Sequence, residues 1–131
     1  MRGSLDTNIL LRLILGELPE QSLAIEKLLA AGGSFVVTDS AIFEMVYVLE
    51  KLYSLPRARV VENVQTIIRN EQFICSRILL EQIIDLYLLE SKLSIIDCAL
   101  TRYAESSNSL PLFTFDKALA KACPDSTALP Q

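Results

Sequence analysis

The sequence predicts an α/β fold built on a mainly parallel central sheet flanked by helices. Three observations carry that expectation. Short apolar, β-branched runs alternate with longer segments whose apolar residues recur at helical spacing. Strands separated by helices favour parallel pairing, with helices on both faces of the sheet. A chain of 131 residues, 51% of them hydrophobic, suits one compact domain over residues 1–131 with a sizeable core.

Met1-Arg2-Gly3-Ser4 resembles a vector-derived opening, which leaves Leu5 and its immediate neighbours to form a first strand. Thr7 to Leu15 then suits a helix that Gly16 stops. Pro19 opens a second helix, with Leu23, Ala24, Leu28 and Ala31 on one side and Gly32-Gly33 closing it. Ser34 to Thr38 reads as a buried strand, after which Asp39 or Ser40 caps a helix to about Tyr53 with an apolar stripe of Ala41, Met45, Val48, Leu49 and Leu52. Pro56 starts the next helix, where Val60, Val61, Val64, Ile67 and Ile68 share a face.

Phe73 to Cys75 suggests a brief strand, followed by a helix over 77–90 that buries Leu79, Leu80, Ile83, Ile84 and Tyr87. Ser94 begins a helix through Ala104, Asn108 falls in the turn after it, and Leu110 to Phe115 reads as the last clear strand. Asp116 opens a final short helix, and the tail over 124–131 carries no strong pattern.

Composition restricts the chemistry. With no histidine, Ser-His-Asp triads, Cys-His dyads and the usual His-bearing zinc sites are excluded. A net charge of −4 argues against gripping nucleic acid by a bulk positive field, although acids gathered around bound cations would reverse the local sign. No apolar run approaches the roughly 18 residues of a membrane span, and the N-terminus lacks the order of a signal peptide, so a soluble cytoplasmic protein is expected. Cys75, Cys98 and Cys123 have no metal-type spacing and read as reduced packing thiols.

Four acids stand out because each sits in an apolar run: Asp6, Glu44, Asp97 and Asp116. Taken singly, each has a local explanation. Asp6 and Asp116 stand where a strand gives way to a helix and can act as N-caps. Ser94-Ile95-Ile96-Asp97 matches a capping box, and Glu44 lies where a helix dipole favours an acid. Taken together they point further, because the C-terminal ends of parallel strands and the helices that follow lie along one edge, where ligands bind. Carboxylates gathered there repel unless a cation is present, and Mg²⁺ or Mn²⁺ suits such hard oxygen donors.

Leu5-Asp6-Thr7-Asn8, the isolated Glu44, Ile96-Asp97-Cys98-Ala99 and Phe113-Thr114-Phe115-Asp116 resemble, in order and separation, the acidic motifs of the PIN-domain ribonucleases. The size is similar to that of the VapC-like toxins of toxin-antitoxin systems. The resemblance covers Leu5 to about Lys121 and implies a three-layer sandwich. It also implies a Mg²⁺- or Mn²⁺-dependent endoribonuclease with Asp6, Glu44, Asp97 and Asp116 as metal-binding and catalytic acids. Thr7, Asn8 and Thr114 would orient them, although local hydrogen bonding to backbone explains Asn8 and Thr114 equally well. Arg12, Arg102 and Lys117 are near enough in sequence to these motifs to meet phosphates, or are simply solvated surface charges.

RNA as substrate, a small antitoxin and a homodimer follow from the same resemblance, with residues 41 to 68 as the expected partner surface, unless their apolar side chains simply pack together. The sequence departs from the family at its start, where Arg-Gly-Ser replaces much of the usual apolar first strand. The alternative is a catalytically silent PIN-like module that binds RNA or protein. Receiver and haloacid-dehalogenase folds also place acids at strand ends. The former expects adjacent acids and the latter a second Asp two residues on, where this chain has Asn8.

Overall fold

In a computed structural model, described over residues 1–123 and 125–130, the chain divides into two compact units, Met1–Arg77 and Ile78–Gln131. Every strand pairing is parallel, as the alternation of strands and helices requires.

The first unit contains β1 (Arg2–Ser4), α1 (Thr7–Leu15), α2 (Pro19–Ala30), β2 (Ser34–Val36), α3 (Asp39–Lys51), α4 (Arg57–Ile68) and β3 (Phe73–Ile74), with strand order β1-β2-β3. The first strand lies one step earlier than the sequence predicts: Arg2, Gly3 and Ser4 pair with Ser34, Phe35 and Val36. Pairing is made by backbone, so unpromising side chains do not prevent it. The ladder continues outward at both ends, with Ser34 N–H donating to the Met1 carbonyl and Leu5 N–H to that of Val36, both at 3.0 Å. Leu5 is buried, and Asp6 is the second residue past the strand. Gly33 permits this closeness. At φ +104° it takes a conformation that L side chains avoid, and a Cβ there would stand 2.4 Å from the Met1 carbonyl oxygen.

Helix ends follow local chemistry. Gly16 stops α1 in the left-handed conformation, its N–H donating to the Arg12 carbonyl. For α3 the cap is Thr38 rather than Asp39 or Ser40: its extended backbone lets the hydroxyl accept the Ala41 N–H at 3.2 Å. Ala41, Ile42, Met45, Val46 and Leu49 on α3 and Val60, Val61, Val64, Ile67 and Ile68 on α4 are buried, and the two helices are in contact. Most apolar positions between 41 and 68 therefore belong to the core, while Tyr47 and Leu52 remain exposed.

The second unit holds nearly all of α5 (Arg77–Leu89), then α6 (Ile95–Ser106), β4 (Leu112–Thr114), α7 (Lys117–Ala122) and β5 (Ser126–Ala128). On α5, Leu80, Ile83, Ile84 and Tyr87 are buried as expected, together with Leu86, whereas Leu79 is half-buried. β5 was not legible as a strand: Ser-Thr-Ala has no apolar alternation, and only the backbone of β4 gives it a partner. The tail residues Pro124 and Gln131 lie outside the described residues. No helix among the described residues is long and apolar enough to cross a membrane.

Candidate functional site

In the first unit the site residues cluster at the start of α1. On this helix Thr7, Leu10 and Leu11 form the buried face, and Asn8, Ile9 and Arg12 project from the other. Asp6 is the N-cap, its Oδ1 accepting the Ile9 N–H at 3.0 Å. Thr7 faces α3, where its hydroxyl meets Glu44 Oε2 at 3.2 Å and the Ala41 carbonyl oxygen at 3.5 Å. One hydroxyl proton serves either acceptor, and the shorter contact is to the carboxylate, the better acceptor. Thus α1 and α3 bring together Thr7 and Glu44, 37 residues apart in the chain, with Asp6 next to Thr7 at the helix start.

Arg12, exposed Asn8 and Asp6 line one cleft between α1 and α2. Arg12 Nε donates to Gln21 Oε1 at 2.8 Å. Nearby, the Tyr53 hydroxyl donates to Glu17 Oε2 at 2.9 Å; that bond raises the phenol pKa above its usual value of 10.0, with Arg12 opposing more weakly.

In the second unit Asp97 is the third residue of α6 and half of a reciprocal capping box. Its Oδ2 accepts the Ser94 N–H and its own N–H donates to Ser94 Oγ, each at 3.1 Å. Asp116 caps α7, with Oδ1 accepting the Ala118 and Leu119 N–H groups at 2.9 and 3.1 Å. Thr114 Oγ1 accepts the Asp116 N–H at 2.9 Å, which sets the turn between β4 and α7 and brings Thr114 and Asp116 together. Arg102 is engaged with Glu105 at 2.6 Å. Asp97 and Asp116 share no hydrogen-bond partner among the described residues.

The local explanation for each Asp is therefore real, but it occupies only one oxygen. Asp6 Oδ2, Asp97 Oδ1 and Asp116 Oδ2 carry no protein hydrogen bond among the described residues, and neither does Glu44 Oε1. Asp6, Glu44 and Asp116 are exposed and Asp97 is half-buried. These are hard oxygen donors of the kind Mg²⁺ and Mn²⁺ take, so the donor chemistry fits such an ion. Within each unit, the described residues contain no group of three or more His, Cys, Asp or Glu placed to hold one.

The sequence matches the PIN domain family over residues 4–123. The chain belongs to that family. No curated protein matches it. PIN domains are typically nucleases and generally use divalent metals, so membership points to a nuclease-type function in general, and it accounts for an α/β fold of the kind observed. In this PIN domain Thr7, which the resemblance gives as an orienting residue, meets Glu44 through its hydroxyl, and Gln21, which no sequence motif marks, is bonded to Arg12.

Proposed function

We propose that this PIN domain is a Mg²⁺- or Mn²⁺-dependent endoribonuclease, with Asp6, Glu44, Asp97 and Asp116 as its metal-binding and catalytic acids. The observation that supports it best is the Thr7 hydroxyl bond to Glu44, which ties the acid of α3 to the helix start that carries Asp6. A bound divalent cation supplies an activated water and neutralises charge on the scissile phosphate. The chain's own part is orientation. Each cap bond fixes a carboxylate through one oxygen and leaves the other presented, and Thr7 limits the rotation of Glu44. No protein nucleophile is needed, which suits a chain without histidine.

By its size and motif order the chain is further proposed to be the toxin of a toxin-antitoxin pair, acting as a homodimer and held by a small antitoxin. Co-purification with the product of a neighbouring short gene tests the second partner. Light scattering tests the dimer, and a strict monomer at high concentration would reject it.

The deciding experiment for catalysis is RNA cleavage with Mg²⁺ or Mn²⁺, repeated in EDTA and with Asp97→Asn. The amide can still accept the Ser94 N–H, so the fold is retained while the charge is lost. Cleavage dependent on metal and on Asp97, leaving a 5′-phosphate and a 3′-hydroxyl, is the expected result. Equal cleavage in EDTA rejects the mechanism. RNA binding without cleavage under any metal supports the silent binding module, a reading favoured by the cap duty of all three Asp residues.

A further inference from the structure

In the second unit the short β4–β5 sheet wears its largest side chains on the outside. Side chains alternate faces along a strand, and residues opposed in parallel register share a face. Leu112 and Thr114 lie opposite Ser126 and Ala128 on one face, where Ser126 is buried and Leu112 and Thr114 are half-buried. Phe113 lies opposite Thr127 on the other. The ladder runs one step further, with Leu129 N–H donating to the Thr114 carbonyl at 2.7 Å, which sets Phe115 beside Leu129 on the face of Phe113. Phe113, Phe115 and Leu129 are 60%, 57% and 40% exposed. Two aromatic rings thus point outward while a serine and a threonine are covered, the reverse of what burial alone selects.

Residues two apart on a strand stand about 6.6 Å from each other, roughly twice the 3.4 Å rise per nucleotide of a stacked strand. The two rings therefore suit bases drawn apart from one another, as in a single strand, and not the continuous stack of a duplex. Stacking on aromatic side chains of an open sheet face is one way in which proteins hold unpaired RNA. It needs only a ring face, so no donor or acceptor has to be aimed. Two features favour RNA over a protein partner. The face exposes on the order of 300 Å², well short of the roughly 800 Å² per partner of a stable protein interface. Charge also borders it: Asp116 follows Phe115 directly, and α7 beyond carries exposed Lys117 and Lys121 one turn apart, cations that suit phosphates.

We propose that Phe113 and Phe115 form a stacking platform for two unpaired bases of single-stranded RNA. The inference rests on the ribonuclease reading only for the identity of the polymer. Thr114, between the two rings, points to the opposite face, and its Oγ1 accepts the Asp116 N–H at 2.9 Å. The same stretch of backbone thus spaces the rings and sets the acid, which places the held bases next to a proposed metal ligand. Every base has a ring face, so the platform determines where the strand lies and not which base is read.

The test is fluorescence anisotropy in EDTA, with labelled hexauridylate and a labelled hexamer of the same backbone without bases. Wild type is expected to bind hexauridylate at least about tenfold more tightly than the abasic hexamer. Phe113→Leu and Phe115→Leu keep an apolar side chain and lose the ring. Each is expected to weaken hexauridylate binding about fivefold and to leave the abasic hexamer unchanged. Phe113→Trp is expected to retain the affinity and, in a chain with no other tryptophan, to show indole fluorescence quenched by hexauridylate and not by the abasic hexamer. Thermal unfolding identifies a variant that fails to fold, and the quenching then decides. Equal or absent binding of the two hexamers by wild type, or an undiminished preference in both folded Leu variants, overturns the proposal. A dimer in light scattering that Phe113→Asp converts to a monomer also overturns it, by assigning the face to a second copy of the chain. Cleavage of hexauridylate with Mn²⁺ is scored separately. Base-dependent binding without cleavage upholds the platform and refutes hydrolysis, whereas cleavage without base-dependent binding refutes the platform alone.

Discussion

Thr7→Val removes the hydroxyl that meets Glu44 while keeping the shape of the side chain. Thr7 is 9% exposed, so the site is packed, and valine fills it without leaving a void. The bonds lost are those to Glu44 at 3.2 Å and to the Ala41 carbonyl at 3.5 Å. Glu44 is exposed and can turn to water, so the net loss of stability is expected within about 1 kcal/mol. Orientation is another matter: a carboxylate released to several rotamers loses roughly five- to tenfold in cleavage rate, and the Mn²⁺ concentration for half-maximal activity rises.

Thr7→Ser reverses the pattern. It keeps the hydroxyl and deletes a buried methyl group, which costs about 1 kcal/mol. For a chain of this length that lowers Tm by about 4 °C while metal dependence stays as in wild type. The assay pairs thermal unfolding with initial rates across a Mn²⁺ titration. If valine matches wild type in both rate and metal dependence while Glu44→Gln is inactive, Thr7 does not position Glu44. If valine and serine lose activity equally, the methyl rather than the hydroxyl matters.

Asp116→Asn should keep the cap of α7 and unfold within about 0.5 kcal/mol of wild type, whereas Asp116→Ala should lose about 1 kcal/mol by denaturant titration. Both should lose cleavage by at least about a hundredfold, since only the charge serves the metal; an active Asn variant would confine Asp116 to capping. Gly33→Ala should destabilise by more than about 1 kcal/mol, because a Cβ there meets the Met1 carbonyl and the positive φ opposes it. Hydrogen exchange should show the Ser34 and Leu5 amides losing protection first, and unchanged protection would mean that β1 does not depend on the close approach. Burial raises the Cys75 thiol above its ordinary value of 9.0, with Arg77 opposing. The unfolded thiol therefore ionises first: the contribution to stability is full below about pH 9 and falls as pH rises through the folded value. Cys75→Ala should flatten that alkaline slope in pH-dependent unfolding, and an unchanged slope would assign it to another group.

Much of this molecule is written locally. The Gly16 stop, Pro19 at the first position of α2, the Ser94-Asp97 capping box and the Asp116 cap all act within about one helical turn, and each was readable as a residue type at a fixed spacing. The same locality explains the one misplaced cap: Thr38, Asp39 and Ser40 are all competent, and only the backbone entering α3 chooses Thr38.

The sequence by itself determined the α/β alternation, the helix limits and the identity of the four candidate acids, because periodicity and capping depend on neighbours a few residues away. The tertiary structure alone decided that Arg2–Ser4 and Ser126–Ala128 are strands, since a strand is defined by a backbone partner tens of residues distant for β1 or by the return of the chain for β5. It alone joined Thr7 to Glu44 and built the cleft between α1 and α2, because both arise where helix faces meet, and no local spacing encodes which faces those are.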